Sequence, residues 1–170
     1  MKIIRIESVN STNNYAKEIA DEIKEDVVII TKIQTNGYGT NKRKWYSDED
    51  SIICSFLIKI RNKTIPLDYS YRIGIIVSNV INKICNVETY IKKPNDIYLN
   101  KKKLGGILIE TRYLSEKLDY VIIGIGLNVN QILLPKEIKD IATSLTIETE
   151  KKYNKEEIIS GLIKELESEE

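Results

Sequence analysis

The chain has 170 residues, 42% of them hydrophobic, enough for one domain with a sizeable core and too apolar for disorder. Its 26 Lys+Arg nearly balance 25 Asp+Glu, so no overall basic field points to nucleic acid and any positive patch is local. There is no histidine, which removes imidazole general-base catalysis and most zinc sites. Cys54 and Cys85 lack metal or redox spacing and sit in apolar runs, as buried free thiols do in a reducing compartment. Every apolar run is short and interrupted by charge, so no membrane span or signal peptide is expected and the protein reads as cytoplasmic.

Taken in order, 2–7 alternates as a short strand and feeds Ser8-Val9-Asn10-Ser11-Thr12-Asn13-Asn14, a polar cluster rich in helix N-caps. Ser11, Thr12 and Asn13 either cap the next helix alone or also offer hydroxyl and backbone donors to a bound polar group. Tyr15, Ala16, Ile19, Ala20 and Ile23 mark one apolar helical face to about residue 24. A β-branched strand over 26–33 then runs into Gln34-Thr35-Asn36-Gly37-Tyr38-Gly39-Thr40-Asn41-Lys42-Arg43-Lys44-Trp45. Its two glycines would let backbone N–H groups approach anionic oxygens, the basic run would supply charge, and Trp45 offers a face for a nucleobase. A solvated surface loop would look much the same.

A further apolar strand covers 51–60, followed by a loop over 61–66. Ile73, Ile76, Val77, Val80, Ile81 and Ile84 recur at helical spacing over 67–85, as in a core helix packed on a sheet. A strand over 87–92 enters a hairpin of 96–99 and 104–110, turned at 100–102. Within that hairpin Lys103 stands beside Gly105 and Gly106, and strand glycines let a ligand or another backbone come close. A fixed lysine beside bare backbone suits a carboxylate or phosphate.

The strand over 118–123 ends in Gly124-Ile125-Gly126-Leu127-Asn128, which also suits close ligand approach but lacks the third glycine of a dinucleotide site. A short helix over 134–140, a turn over 142–145 and a last helix capped by Asn154, with Glu157 in the capping-box position, complete the chain, and the acidic end 165–170 is expected to be solvated. Strands dominate the middle without strict alternation with helices. The fold class is therefore α+β, a mixed β-sheet with helices packed mainly on one face.

Five pieces in sequence order resemble the catalytic domain of biotin–protein ligases. Lys92-x-Pro94-Asn95-Asp96 followed by Lys103-Leu104-x-Gly106-Ile107-Leu108-x-Glu110 resembles the family's KWPND…KLxGILxE. Ser11-Thr12-Asn13 is similar to its STN, and Gly37-x-Gly39 with Arg43-x-Trp45 to its GRGRxGRxW loop. Gly124-x-Gly126-x-Asn128-Val129 matches GxGxNV, and Ala142-Thr143-Ser144-Leu145 is similar to a common later segment. The resemblance implies the class II aminoacyl-tRNA-synthetase-like fold of biotin and lipoate ligases.

It also implies a reaction: biotin and ATP give biotinyl-5′-AMP, and a lysine of a biotin carboxyl carrier domain takes the biotinyl group. Lys103 and Arg43 would be catalytic. Ser11, Thr12, Asn13, Gln34, Gly37, Lys103, Gly105 and Gly106 would hold biotin; Gly39, Thr40, Arg43, Trp45, Asn95 and Asn128 would hold ATP, with Mg2+ assisting. The alternatives are a lipoate or octanoate ligase on the same scaffold, although the Arg-Arg-x-Ser-Gly-Gly-Gly type loop is absent, and a non-catalytic biotin or adenylate binder.

The chain departs from the pattern at Tyr38, Thr40 and Asn41, where the family often carries basic residues, and at Lys42, where it has glycine, so the adenylate would be held less tightly. Lys93 replaces the tryptophan of KWPND. A single catalytic domain over 1–170 is expected, without the DNA-binding domain of ligases that double as repressors and without the small C-terminal SH3-like barrel. Relatives pair through sheet edges, and 118–123 is apolar enough to allow a homodimer.

Overall fold

The computed structural model describes residues 1–60 and 64–168. The loop expected over 61–66 and the acidic end 165–170 therefore lie partly outside the described residues.

Seven strands form one mixed sheet, β1 (Lys2–Val9), β2 (Val27–Gln34), β3 (Ser51–Lys59), β4 (Tyr90–Lys92), β5 (Asp96–Leu99), β6 (Lys102–Leu114) and β7 (Lys117–Asn128), in the order β1-β2-β3-β7-β6-β5-β4. Only β1 and β2 pair in parallel; the other neighbours are antiparallel. Four α-helices, α1 (Thr12–Ile19), α2 (Tyr69–Cys85), α3 (Leu145–Thr149) and α4 (Lys155–Ser168), and a short 3-10 turn at Thr40–Lys42 complete the described chain.

Strand periodicity divides the apolar residues between two faces. Val28, Ile30, Ile52, Phe56, Ile123 and Ile125 point to one side, where Val77 and Ile81 of α2 and Ile158 and Leu162 of α4 close the main core. Their alternates Val27, Ile29, Leu57 and Ile122 point to the other side and bury Ala16 and Ala20 of α1. The two long helices thus share one face, as expected. Short α1 covers only part of the opposite face and leaves the rest for a pocket.

Several boundaries differ from the sequence reading. Helix α1 ends at Ile19 rather than near 24 because Ala20 and Glu22 bond back to Lys17 and Ile19 in tight turns. Ile23 still packs on the same cluster, which kept the apolar period going past the helix end. The segment 134–140 makes turns around Pro135 rather than a helix. Instead Ser144 caps the unforeseen α3, its hydroxyl accepting from Ile147 N at 3.0 Å. The hairpin turn is two residues, Asn100 and Lys101, both left-handed with φ 47° and 69°.

The largest correction concerns β7, which continues through the glycines to Asn128 and lies in the middle of the sheet between β3 and β6. Residues 118–123 are therefore no free edge for pairing. The edges are β1 and β4.

Candidate active site

A pocket of about 500 Å3 opens on the α1 side of the sheet. Ser11, Thr12, Asn13, Gln34, Gly39, Thr40, Arg43, Trp45, Asn95, Lys103, Gly106 and Asn128 all line it, so the structure gathers segments spread over most of the chain. Gly37 and Gly105 do not line it. A Cβ on Gly105 would stand 2.5 Å from Leu127 Cδ2, and one on Gly37 would stand 2.3 Å from Gln34 Nε2. Gly105 makes room for Leu127 behind the wall, and Gly37 makes room for the Gln34 side chain that lines the pocket.

The β2–α1 end of the pocket is a polar floor. Ser11 caps α1, its hydroxyl accepting from Asn14 N at 3.4 Å. Thr12 N donates to Gln34 Oε1 at 2.9 Å. Buried Ser55 on β3 lies 2.7 Å from Thr12 Oγ1 and 2.6 Å from Asn13 Oδ1. These bonds fix the side chains of Thr12, Asn13 and Gln34 before any polar ligand atom meets them. Capping and pocket lining are both realised in this one tripeptide.

The Gly-x-Gly of β7 has a different use from the one its sequence suggested. Two residues apart on a strand, Gly124 and Gly126 face the same side. A Cβ at Gly124 would stand 2.4 Å from Asn13 Oδ1, and one at Gly126 would stand 2.6 Å from Trp45 Cε2. The glycines admit side chains from α1 and from the loop after β2, and those side chains then border the pocket.

That loop folds back on itself. Gly39 N donates to Arg43 O at 2.8 Å and Trp45 N to Gly37 O at 2.9 Å, with a β-bridge between Tyr38 and Lys44. At its tip Asn41 and Lys42 both sit at φ 57°, a left-handed conformation that favours glycine. Asn95 ties the loop to the sheet: its Nδ2 donates to Thr40 Oγ1 at 3.0 Å and to Ile107 O at 2.7 Å. Arg43 is exposed, and its guanidinium has no ion-pair or hydrogen-bond partner among the described residues. A cation left unpaired at the pocket mouth is available to an anion.

Lys103 projects into the pocket from β6. Its Nζ lies 2.7 Å from Asp96 Oδ1 and 5.5 Å from the centre of the Trp45 ring. Its backbone is clamped as well, Lys103 N donating to Ile141 O at 3.0 Å and Thr143 N to Lys103 O at 2.9 Å. The segment 138–142 thereby closes one wall with Ile138, Ile141 and Ala142. Asn128, 3% exposed, donates to Thr143 O at 3.0 Å and braces the same segment.

Tyr38, Tyr46, Tyr98, Ile53 and Leu108 also line the pocket and were not foreseen. Only the alternation along β3, β5 and β6 could have placed three of them on the pocket face. Among the described residues no group of three carboxylate or cysteine side chains could hold a metal. Buried Cys54 has its thiol pushed up to about 12 by burial, so it is no nucleophile.

A fixed ammonium beside a carboxylate, an unpaired guanidinium, an indole and a polar floor line one pocket, a set of groups that can receive an anionic ligand. The family model for the biotin/lipoate A/B protein ligase family matches residues 5–128. Bifunctional ligase/repressor BirA of Bacillus spizizenii is 35% identical over 162 residues, 91% of this chain and 49% of that protein. Biotin–[acetyl-CoA-carboxylase] ligase of Mycobacterium tuberculosis is 32% identical over 152 residues, covering 85% of this chain and 54% of that one. The chain thus spans about half the length of these curated relatives. A solved structure of biotin protein ligase from Aquifex aeolicus in complex with biotin and ATP superposes with a TM-score of 0.87 at 34% identity, covering 98% of this chain and 69% of that chain. On the extent of the family match, and with its sheet order and pocket in place, the chain belongs to the biotin/lipoate A/B protein ligase family.

Proposed function

We propose that the chain carries the catalytic site of a biotin–protein ligase, which joins biotin to ATP as biotinyl-5′-AMP and then passes the biotinyl group to a carrier lysine. The observation that carries this reading is the Lys103 amine, held 2.7 Å from Asp96 within a pocket walled by Trp45 and Gly106. Its likeness to a ligase whose structure holds biotin and ATP supports the choice of substrates.

In the first step a biotin carboxylate oxygen attacks the α-phosphorus, the new P–O bond forms and pyrophosphate leaves. The attacking group is itself the nucleophile, so the chain supplies alignment and charge neutralisation. Lys103 stands between carboxylate and α-phosphate, Arg43 takes phosphate oxygens at the mouth, and Trp45 and Asn128 border the nucleotide. Thr12, Asn13 and Gln34 face biotin with fixed amide and hydroxyl groups. In the second step the acceptor amine attacks the activated carbonyl, a proton is lost, an amide forms and AMP leaves. Mg2+ enters as part of the nucleotide, bound chiefly by its phosphates.

The acceptor on this reading is a biotin carboxyl carrier domain in the cytoplasm, with neither nucleic acid nor membrane as partner. Among the described residues no helix is long and apolar enough to cross a membrane. A homodimer, if formed through sheet edges, would use β1 or β4.

Pyrophosphate–ATP exchange dependent on added acid tests the reading. Exchange with biotin, cut about 10²–10³-fold by Lys103→Ala, is expected. Exchange with lipoate or octanoate but not biotin would replace the substrate. Calorimetric biotin binding with no exchange would make the chain a binding module.

A further inference from the structure

One polar cluster at the pocket edge enters the reaction just derived only through Asn13. Glu110 on β6 receives three donors: Lys17 Nζ at 2.7 Å, Asn13 Nδ2 at 2.8 Å and the Tyr38 hydroxyl at 3.1 Å. Tyr38 has one hydroxyl proton, shared between Glu110 and the nearer Asn14 Oδ1 at 2.8 Å. Lys17 Nζ in turn donates to the phenol oxygen at 3.2 Å. Burial opposes both charges. The Lys17 and Asn13 hydrogen bonds outweigh it and hold the Glu110 carboxyl below the usual carboxylate range.

Three elements meet here. Asn13, Asn14 and Lys17 come from α1, Glu110 from β6, and Tyr38 from the loop that carries Arg43 and Trp45. Tyr38 also pairs with Lys44 across the loop, so a fixed phenol fixes both arms. The cluster reaches the pocket floor without a break, because Asn13 Oδ1 accepts from Ser55, which also contacts Thr12.

We propose that Tyr38 is a positioning residue, a phenol latch that seats the 37–45 loop on Glu110 and Asn14 and thereby sets where Arg43 and Trp45 meet the nucleotide. Every partner in the latch belongs to the chain, so it acts without ligand. Its effect on catalysis rests on the ligase reading; its effect on the loop does not.

The test uses the whole chain and Tyr38→Phe, which keeps the ring and removes the hydroxyl. Tryptic cleavage at Lys42, Arg43 and Lys44, located by mass spectrometry with no ligand added, should run about tenfold faster in the variant at equal Tm. That factor corresponds to about 1.4 kcal/mol of loop opening. Saturating biotin and ATP should restore most of the protection, and the KM for ATP should rise about tenfold with a smaller fall in kcat. If Tyr38→Phe lowers Tm appreciably, Asn14→Ala, which removes one acceptor only, should give a smaller change in the same direction. Equal cleavage rates in wild type and variant overturn the latch. Faster cleavage with no biotin-dependent exchange in the wild type keeps the latch and overturns the ligase reading instead.

Discussion

Gly126→Ala puts the packing of Trp45 to a quantitative test. A Cβ built at Gly126 stands 2.6 Å from Trp45 Cε2, 2.7 Å from Cζ2 and 2.8 Å from Nε1. Ordinary carbon contacts begin near 3.5 Å, so the indole must retreat by roughly 1 Å. The indole is a rigid plane, and β7 is locked between β3 and β6, so the movement falls on the 37–45 loop. A misplacement of about 1 Å in catalytic groups costs roughly 10²-fold in rate. Overpacking itself costs about 1–3 kcal/mol, or roughly 2–12 °C in Tm for a chain of this size. The neighbouring Gly106→Ala is the control, since its Cβ meets nothing nearer than Lys103 Cε at 3.5 Å. Biotin-dependent exchange should fall about 10²-fold in Gly126→Ala and less than about tenfold in Gly106→Ala. Equal rates in the two variants would refute the claim that Gly126 exists to receive Trp45.

Lys101→Gly should raise Tm by roughly 2–4 °C, because it relieves a left-handed lysine at φ 69° in a two-residue turn that favours Asn-Gly; an unchanged or lower melting curve would contradict this. Cys54 and Cys85 should resist iodoacetamide at pH 8 in the native state and react in denaturant, since burial pushes their thiols up to about 12 and about 11. The Lys17–Glu110 pair sets a pH window. Glu110, held low, contributes stability at neutral pH that is lost as pH falls through its depressed value. Lys17 is held above the ordinary lysine value because Glu110 and Tyr38 outweigh its burial, and its contribution is lost only as pH rises through that raised value. The Tm difference between wild type and Lys17→Met should therefore be flat from about pH 6 to about pH 9 and shrink at both extremes.

Much of this protein is written locally in its sequence. The β-branched runs that became β2 and β3, the apolar period of α2 and the Ser11 cap each depend on a few adjacent residues. Lys103, Arg43 and the Ser-Thr-Asn cluster stood out because charge and hydroxyl groups beside glycines or a helix start carry a chemical meaning before any fold is known. Sequence alone did not determine which strands became neighbours, and so it misread 118–123 as a free edge when pairing on both sides makes β7 central.

Tertiary structure alone decided what the glycines and carboxylates do. Gly124 and Gly126 serve Asn13 and Trp45, residues more than eighty positions away, and no local pattern records such a contact. Asp96 gained its role when a hairpin placed it 2.7 Å from Lys103, and Glu110 gained Lys17 from α1 and Tyr38 from the loop after β2 when both packed on the sheet. Periodicity and capping act over one or two turns of chain, whereas ion pairs and side-chain packing depend on which distant segments the sheet order brings together.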